Sequence, residues 1–351
     1  MRGKATSIAE VLADYENNAM TTDHVLDWVS QFNEDDQEFV LDELLHIFKQ
    51  TYLSKTECRK FIQSCLENWT KEFKYKDVAS FIAETAFLDL QPEHKSQREL
   101  LNLLDEILIE HHDCNLTQSA RRIKRYIYLD DVLSTGSKLF YDLDTWFKSS
   151  NNFNPAISNF QSIRDTKSPV LVVVICGHTW GADNAEFRLI KSVGTEIKKI
   201  LAIKAWYWIE NNIRGYKQKL NNMIPLDHQD SYVHDYWNSL TATDKVEYAF
   251  RSPQKPVEEE LFSSAASRNR IETLFLVKGI EILSRVGELK VGQIRPLGYT
   301  IKSHKTFGLG TLFFTYRNIP NNCPIVFWWA NNKWRPLFVL KNRGVKKDEN
   351  G

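Results

Sequence analysis

Residues 126–138 read Tyr-Ile-Tyr-Leu-Asp-Asp-Val-Leu-Ser-Thr-Gly-Ser-Lys and hold the chain's most chemically suggestive spacing. Tyr126 to Leu129 favour a short strand. That strand delivers two adjacent acids, Asp130 and Asp131, at its carboxyl end. Ser134, Thr135, Gly136 and Ser137 then make a turn into a helix that opens at Lys138. Unpaired N–H groups and the positive end of the dipole at a helix start suit a phosphate. Gly136 lets the backbone approach closely, three hydroxyls add donors, and Lys138 adds a point charge. Two carboxylates within a nucleotide's reach suit a ribose diol, directly or through Mg²⁺. The set fits a sugar 5-phosphate with free 2- and 3-hydroxyls.

Other elements must hold this segment. Val170 to Ile175 is a continuous aliphatic run of the kind buried on both faces of a parallel sheet, and Ile200 to Trp208 is a further strand candidate. Helical spacing at about 138–148 and 182–199 lies between them, so the order predicts an α/β sheet with right-handed crossovers. Upstream, residues 1–115 have helical periodicity, as in Phe39, Val40, Leu44, Leu45 and Phe48. They contain one glycine, Gly3, and one proline, Pro92, so they read as a domain of five or six helices. The expected division is a helical domain over 1–115, an α/β domain over 116–340, and a mobile tail over 341–351. A helix is expected at about 265–286 and a small β-rich closure at 294–340.

The segment resembles the phosphoribosyl-pyrophosphate motif of type I phosphoribosyltransferases: apolar strand, two acids, two apolar residues, then Ser-Thr-Gly. The resemblance implies a type I phosphoribosyltransferase-like parallel sheet core behind the helical domain. It implies that Asp130 and Asp131 contact ribose hydroxyls, and ligand-bound Mg²⁺, while Ser134 to Lys138 cradle the 5-phosphate of a phosphoribosyl donor or nucleotide. Tyr128 stands where an aliphatic residue is common, and Lys138 where a small hydroxylic one is. A pyrophosphate loop is not evident, Thr117 to Arg125 being the nearest candidate. The later segments Arg295 to Tyr299, Gly308 to Gly310 and Asn318 to Asn322 resemble a divergent branch associated with bacterial conflict systems, including retron-type antiphage defence. That implies a glycosyl or phosphoribosyl transferase, or an N-glycosidic cleavage enzyme, restrained by a reverse transcriptase–nucleic acid complex or another defence partner. The alternative is a non-catalytic nucleotide-binding or assembly module that binds a nucleic-acid-bearing partner.

Weaker constellations surround the motif. His178, Thr179 and Asp183 follow the aliphatic run and can face the same crevice. Arg121, Arg122, Lys124 and Arg125 can bind pyrophosphate, a nucleic-acid backbone or the acidic N-terminal domain. Arg188 reads as a surface ion pair. His111, His112, Asp113 and Cys114 diverge on a helix and do not suit one metal ion. Trp206, Tyr207, Trp208, Trp328, Trp329 and Trp334 can be core or can stack a base. The 351 residues, 42% hydrophobic and 26% charged, suggest two folded domains. No leader or membrane span is read, so a cytoplasmic protein is expected. The charge is zero overall, but residues 1–115 hold 23 acids against 11 bases. Docking between the halves, or a basic surface for phosphates, would each explain that polarity.

Overall fold

A computed structural model describes residues 1–16, 19–92, 96–118, 123–212, 219–241, 249–286, 293–301, 304–331 and 333–340. The chain opens with helices α1 (Arg2–Val11), α2 (Thr22–Val29) and α3 (Glu34–Thr51) and the short strand β1 (Tyr52–Leu53). Helices α4 (Lys55–Glu72) and α5 (Val78–Ala83), strand β2 (Thr85–Phe87) and helix α6 (Ser96–His112) follow. The α/β run is β3 (Arg125–Leu133), α7 (Ser137–Lys148), α8 (Asn159–Thr166), β4 (Val170–His178), α9 (Thr179–Val193) and β5 (Leu201–Ile209). Helices α10 (Ser231–Ser239) and α11 (Ala265–Ser284) and strand β6 (Phe314–Thr315) come last. Several helices start where a side chain takes an orphan N–H: Thr21 caps α2, Asp77 caps α5 and Ser264 caps α11.

These elements form two compact units, Met1–Lys55 with Glu210–Gly351, and Thr56–Ile209. The boundary expected at residue 115 thus falls inside the second unit, and the tail expected at 341–351 lies outside the described residues. In the first unit both ends of the chain share one core: Trp28 and Phe48 pack with Phe275, Phe314 and Phe327. Strands β1 and β6 pair in parallel, Tyr52 opposite Phe314. The buried Arg268 reaches Glu259 at 2.5 Å and Glu272 at 3.1 Å, and Arg251 reaches Glu272 at 3.2 Å. The expected β-rich closure at 294–340 is instead mostly loop. Beyond β6, its described residues hold isolated bridges, at Lys305 and between Asn331 and Trp334. Pro296, Pro320 and Pro324 lack the N–H a ladder needs. The loops bond to one another, as in Leu297 N–H to the Phe307 carbonyl at 2.7 Å.

The second unit carries a parallel sheet of order β2-β3-β4-β5. Strand β4 is buried along its whole length, as the unbroken aliphatic run requires. Tyr128, Val172 and Val174 of the sheet pack with Leu139, Leu143 and Leu189 of the covering helices. The three-residue β2 draws the preceding helices into this unit: Thr85 is the register partner of Arg125 and Phe87 that of Ile127.

The charge polarity of the halves disappears when counted by unit. The first unit has 25 basic and 25 acidic residues, and the second has 20 of each. Acids from the early segments meet bases from the late ones within each unit. Arg270 pairs with Asp36 at 2.7 Å and Arg335 with Asp27 at 2.5 Å; Lys124 pairs with Glu84 at 2.7 Å and Lys204 with Glu72 at 3.3 Å.

Arg125 is a clear correction to the basic surface expected over 121–125. It is 5% exposed. Its guanidinium donates to Thr85 Oγ1 at 3.2 Å and to the Tyr75 hydroxyl at 2.9 Å, with Phe73 stacked 4.4 Å away. It clamps β2 and the connection between α4 and α5 to the start of β3, while Arg121 and Arg122 lie outside the described residues. Replacing Arg125 by Ala should therefore cost about 2–4 kcal/mol in urea unfolding. A surface phosphate contact would instead leave stability within about 0.5 kcal/mol.

Candidate functional site

Strand β3 ends beside β4, with Leu133 opposite Gly177. The turn Ser134–Gly136 therefore leaves the sheet next to the start of α9. Gly136 has φ +73° and forms the N-terminal boundary of α7. A Cβ there would lie 2.1 Å from the Gly181 carbonyl oxygen, and a Cβ on Gly181 would lie 1.9 Å from that of Ser134. Two glycines, one from each helix start, thus let the backbones touch. Asn184 Nδ2 donates to the Thr135 carbonyl at 2.7 Å, and Arg188 Nη1 donates to Ser137 Oγ at 3.2 Å. The loop is gripped from α9 at positions 181, 184 and 188. No side chain caps α7, although Thr135 Oγ1 approaches the Ser137 N–H at 3.4 Å. Such a helix start presents N–H donors and a positive dipole end to an anion.

The acids differ from one another. Asp130 is 8% exposed and turned inward. Its carboxylate accepts from Gln91 Nε2 at 2.8 Å, Ser96 Oγ at 2.9 Å and the Asp131 N–H at 2.9 Å, and lies 3.2 Å from the Tyr128 hydroxyl. Asp131 projects from the other face of the strand. It is half-buried, and its Oδ1 accepts the Val132 N–H at 2.6 Å. The two acids therefore do not lie side by side: alternation along β3 sends their side chains to opposite faces.

The PRTase-CE family model matches residues 25–339. The chain belongs to the PRTase-CE family. It is a phosphoribosyltransferase-like α/β protein with a helical N-terminal region. No curated protein and no solved structure matches it.

In this PRTase-CE protein the unusual Tyr128 has a defined use. Its hydroxyl receives Gln91 Nε2 at 2.7 Å and lies 2.8 Å from Asp142 Oδ2. Asp142 in turn pairs with Lys138 one helical turn back. Lys138, expected to bind phosphate, is therefore committed to a neighbouring carboxylate. His178 ends β4 fully buried, and desolvation holds its pKa down at about 3, so the ring is neutral. Thr179 opens α9, and Asp183 is exposed one turn later. Of the expected basic cluster, Lys124 pairs with Glu84 and Arg125 is buried, so neither faces this loop. The Thr117–Arg125 pyrophosphate candidate falls partly outside the described residues. Sequence reading missed Asn184, and it took Arg188 for a surface ion pair where the structure sets it on Ser137 and two ring faces. With Gly181 they follow an i, i+3, i+7 spacing that marks one helix face.

Burial, and then the charge of Asp131, raise the Asp130 pKa to about 7. The folded state then binds a proton that the unfolded state releases near pH 4. That contribution is present in acid and is lost as pH rises towards 7. In urea titrations the stability advantage of wild type over Asp130→Asn should shrink from pH 4 to 7 and then level off. A pH-independent difference would show that burial does not govern this acid. A second variant, Gly181→Ala, should destabilise the loop by about 1–3 kcal/mol through overpacking. An unchanged melting temperature would contradict the glycine contact.

Proposed function

We propose that this protein binds a 5-phosphoribosyl compound at the β3–α7 turn and promotes departure of its anomeric substituent. The carrying observation is that β3, which carries Asp131, runs through a short hydroxyl-bearing turn into a left-handed Gly136 at the start of α7. The turn would hold the 5-phosphate, and Asp131 would orient ribose hydroxyls, with Asp130 supporting its backbone from beneath. Breaking the anomeric bond leaves an oxocarbenium-like sugar, captured by an acceptor or by water. Positioning and electrostatics would supply the rate. Among the described residues no three His, Cys, Asp or Glu gather to hold a metal ion. Mg²⁺ would instead be held between Asp131 and the oxygens of the ligand. When bound it would neutralise the leaving diphosphate.

By the resemblance of the 295–322 segments, the setting we propose is cytoplasmic antiphage defence, with the effector restrained by a nucleic-acid-bearing partner. No helix of the described residues is long and apolar enough to cross a membrane. The inward turn of Asp130 favours a second reading, a nucleotide-binding module without turnover. Incubation with phosphoribosyl pyrophosphate, with and without Mg²⁺, separates the two. Turnover should require Mg²⁺ and fall roughly 100-fold in kcat/KM for Asp131→Asn, with the melting temperature kept. Binding without turnover would select the module. Unchanged turnover in Asp131→Asn would remove the acid from the mechanism.

A further inference from the structure

Arg188 is placed unlike an ordinary surface arginine. Its guanidinium lies 3.9 Å from the Phe140 ring centroid and 5.0 Å from that of Tyr141. Its Nη1 donates to Ser137 Oγ, at the first residue of α7. Among the described residues no carboxylate lies within ion-pair distance of it. Asp144, which feels its charge, is held by Lys148 at 2.9 Å and by Ser192. Lys138, the other cation at this helix start, is neutralised by Asp142. The loop therefore has one cation oriented towards its first helical residue and committed only to a neutral hydroxyl and two ring faces.

We propose that Arg188, not Lys138, is the cation of the phosphate loop, and that it selects a terminal phosphate monoester. This rests on the reading of the β3–α7 turn as a phosphate site. A monoester carries close to two charges and three unsubstituted oxygens, so the loop N–H groups and a planar guanidinium fork can engage different oxygens. An internal phosphodiester carries one charge and two such oxygens, so it offers the fork and the loop fewer oxygens to share. The ligand class is a 5-phosphoribosyl compound or mononucleotide rather than a nucleic-acid strand.

Calorimetry with ribose 5-phosphate and its methyl diester tests this. Wild type should bind the monoester at least about tenfold more tightly, and Arg188→Gln should lose roughly 10- to 100-fold for the monoester while changing little for the diester. Arg188→Lys, which keeps the charge but not the fork, should fall between. On the wild-type chain, ribose 5-phosphate should protect Arg188 from a guanidine-reactive dicarbonyl, a readout that needs no variant to fold. Equal monoester affinity in wild type and Arg188→Gln, or no protection, would make Arg188 a packing residue and overturn the proposal. No affinity of wild type for either ester would overturn the phosphate reading of the turn, and this assignment with it.

Discussion

Gly136 and Gly181 leave no room for a Cβ at the point where the turn after β3 meets the first turn of α9. That backbone contact governs the site, because it fixes how far α7 and α9 can approach. With a methyl group at either position the helices would have to part. The Asn184 bond to Thr135 and the Arg188 bond to Ser137 would then lengthen together. The contact also explains why Gly136 takes a left-handed conformation. The chain must reverse from strand to helix within three residues while pressed against another backbone. The placement of the α7 start against α9 is a consequence of this constraint.

The same packing sorts the charges. Asp130 and Asp131 are neighbours on one strand, and two carboxylates side by side repel. Alternation separates their side chains, and Gln91, Ser96 and Tyr128 stabilise the inner one. Tyr128 carries one hydroxyl proton between two carboxylates, Asp130 and Asp142, so its placement links the acid pair to the first turn of α7. Lys138 neutralises Asp142 at that turn. A chain of contacts thus runs from the inner acid to the loop lysine, and the remaining cation, Arg188, approaches from the other helix.

The α/β order and the turn were legible because their signals are local. An unbroken aliphatic run, two acids after a β-favouring stretch and a hydroxyl-rich turn each need only a few consecutive residues. The division of the chain was not legible for the opposite reason. Strand β2 has three residues, too few for periodicity to mark, yet its pairing with β3 assigns the helices before it to the sheet unit. Arg125 read as part of a basic run because Phe73, Tyr75, Phe81 and Thr85, which enclose it, lie at least 40 positions away. Asp130 could be called an acid at a strand end, but its inward partners come from a loop and a helix start upstream. Period-2 alternation alone requires that the two acids part, without saying which one is buried.

The charge polarity shows how a sum over sequence halves can mislead. An acidic first third beside a basic remainder suggests a surface seeking an anionic partner. Counted over the units that fold together, the excess vanishes in both. The early acids Asp27 and Asp36 meet late arginines in one unit, and Glu72 and Glu84 meet lysines of the α/β run in the other. Such exposed pairs add little stability singly, but their pattern shows what the polarity serves. The first unit joins segments from opposite ends of the chain, and opposite charge on those segments favours their association. The second unit is continuous in sequence. Its pairs, such as Lys204 with Glu72, bring the edge strand β5 to the helices that precede the sheet. On this account a ligand phosphate is recognised by a few oriented donors at one turn, not by the net charge of the protein.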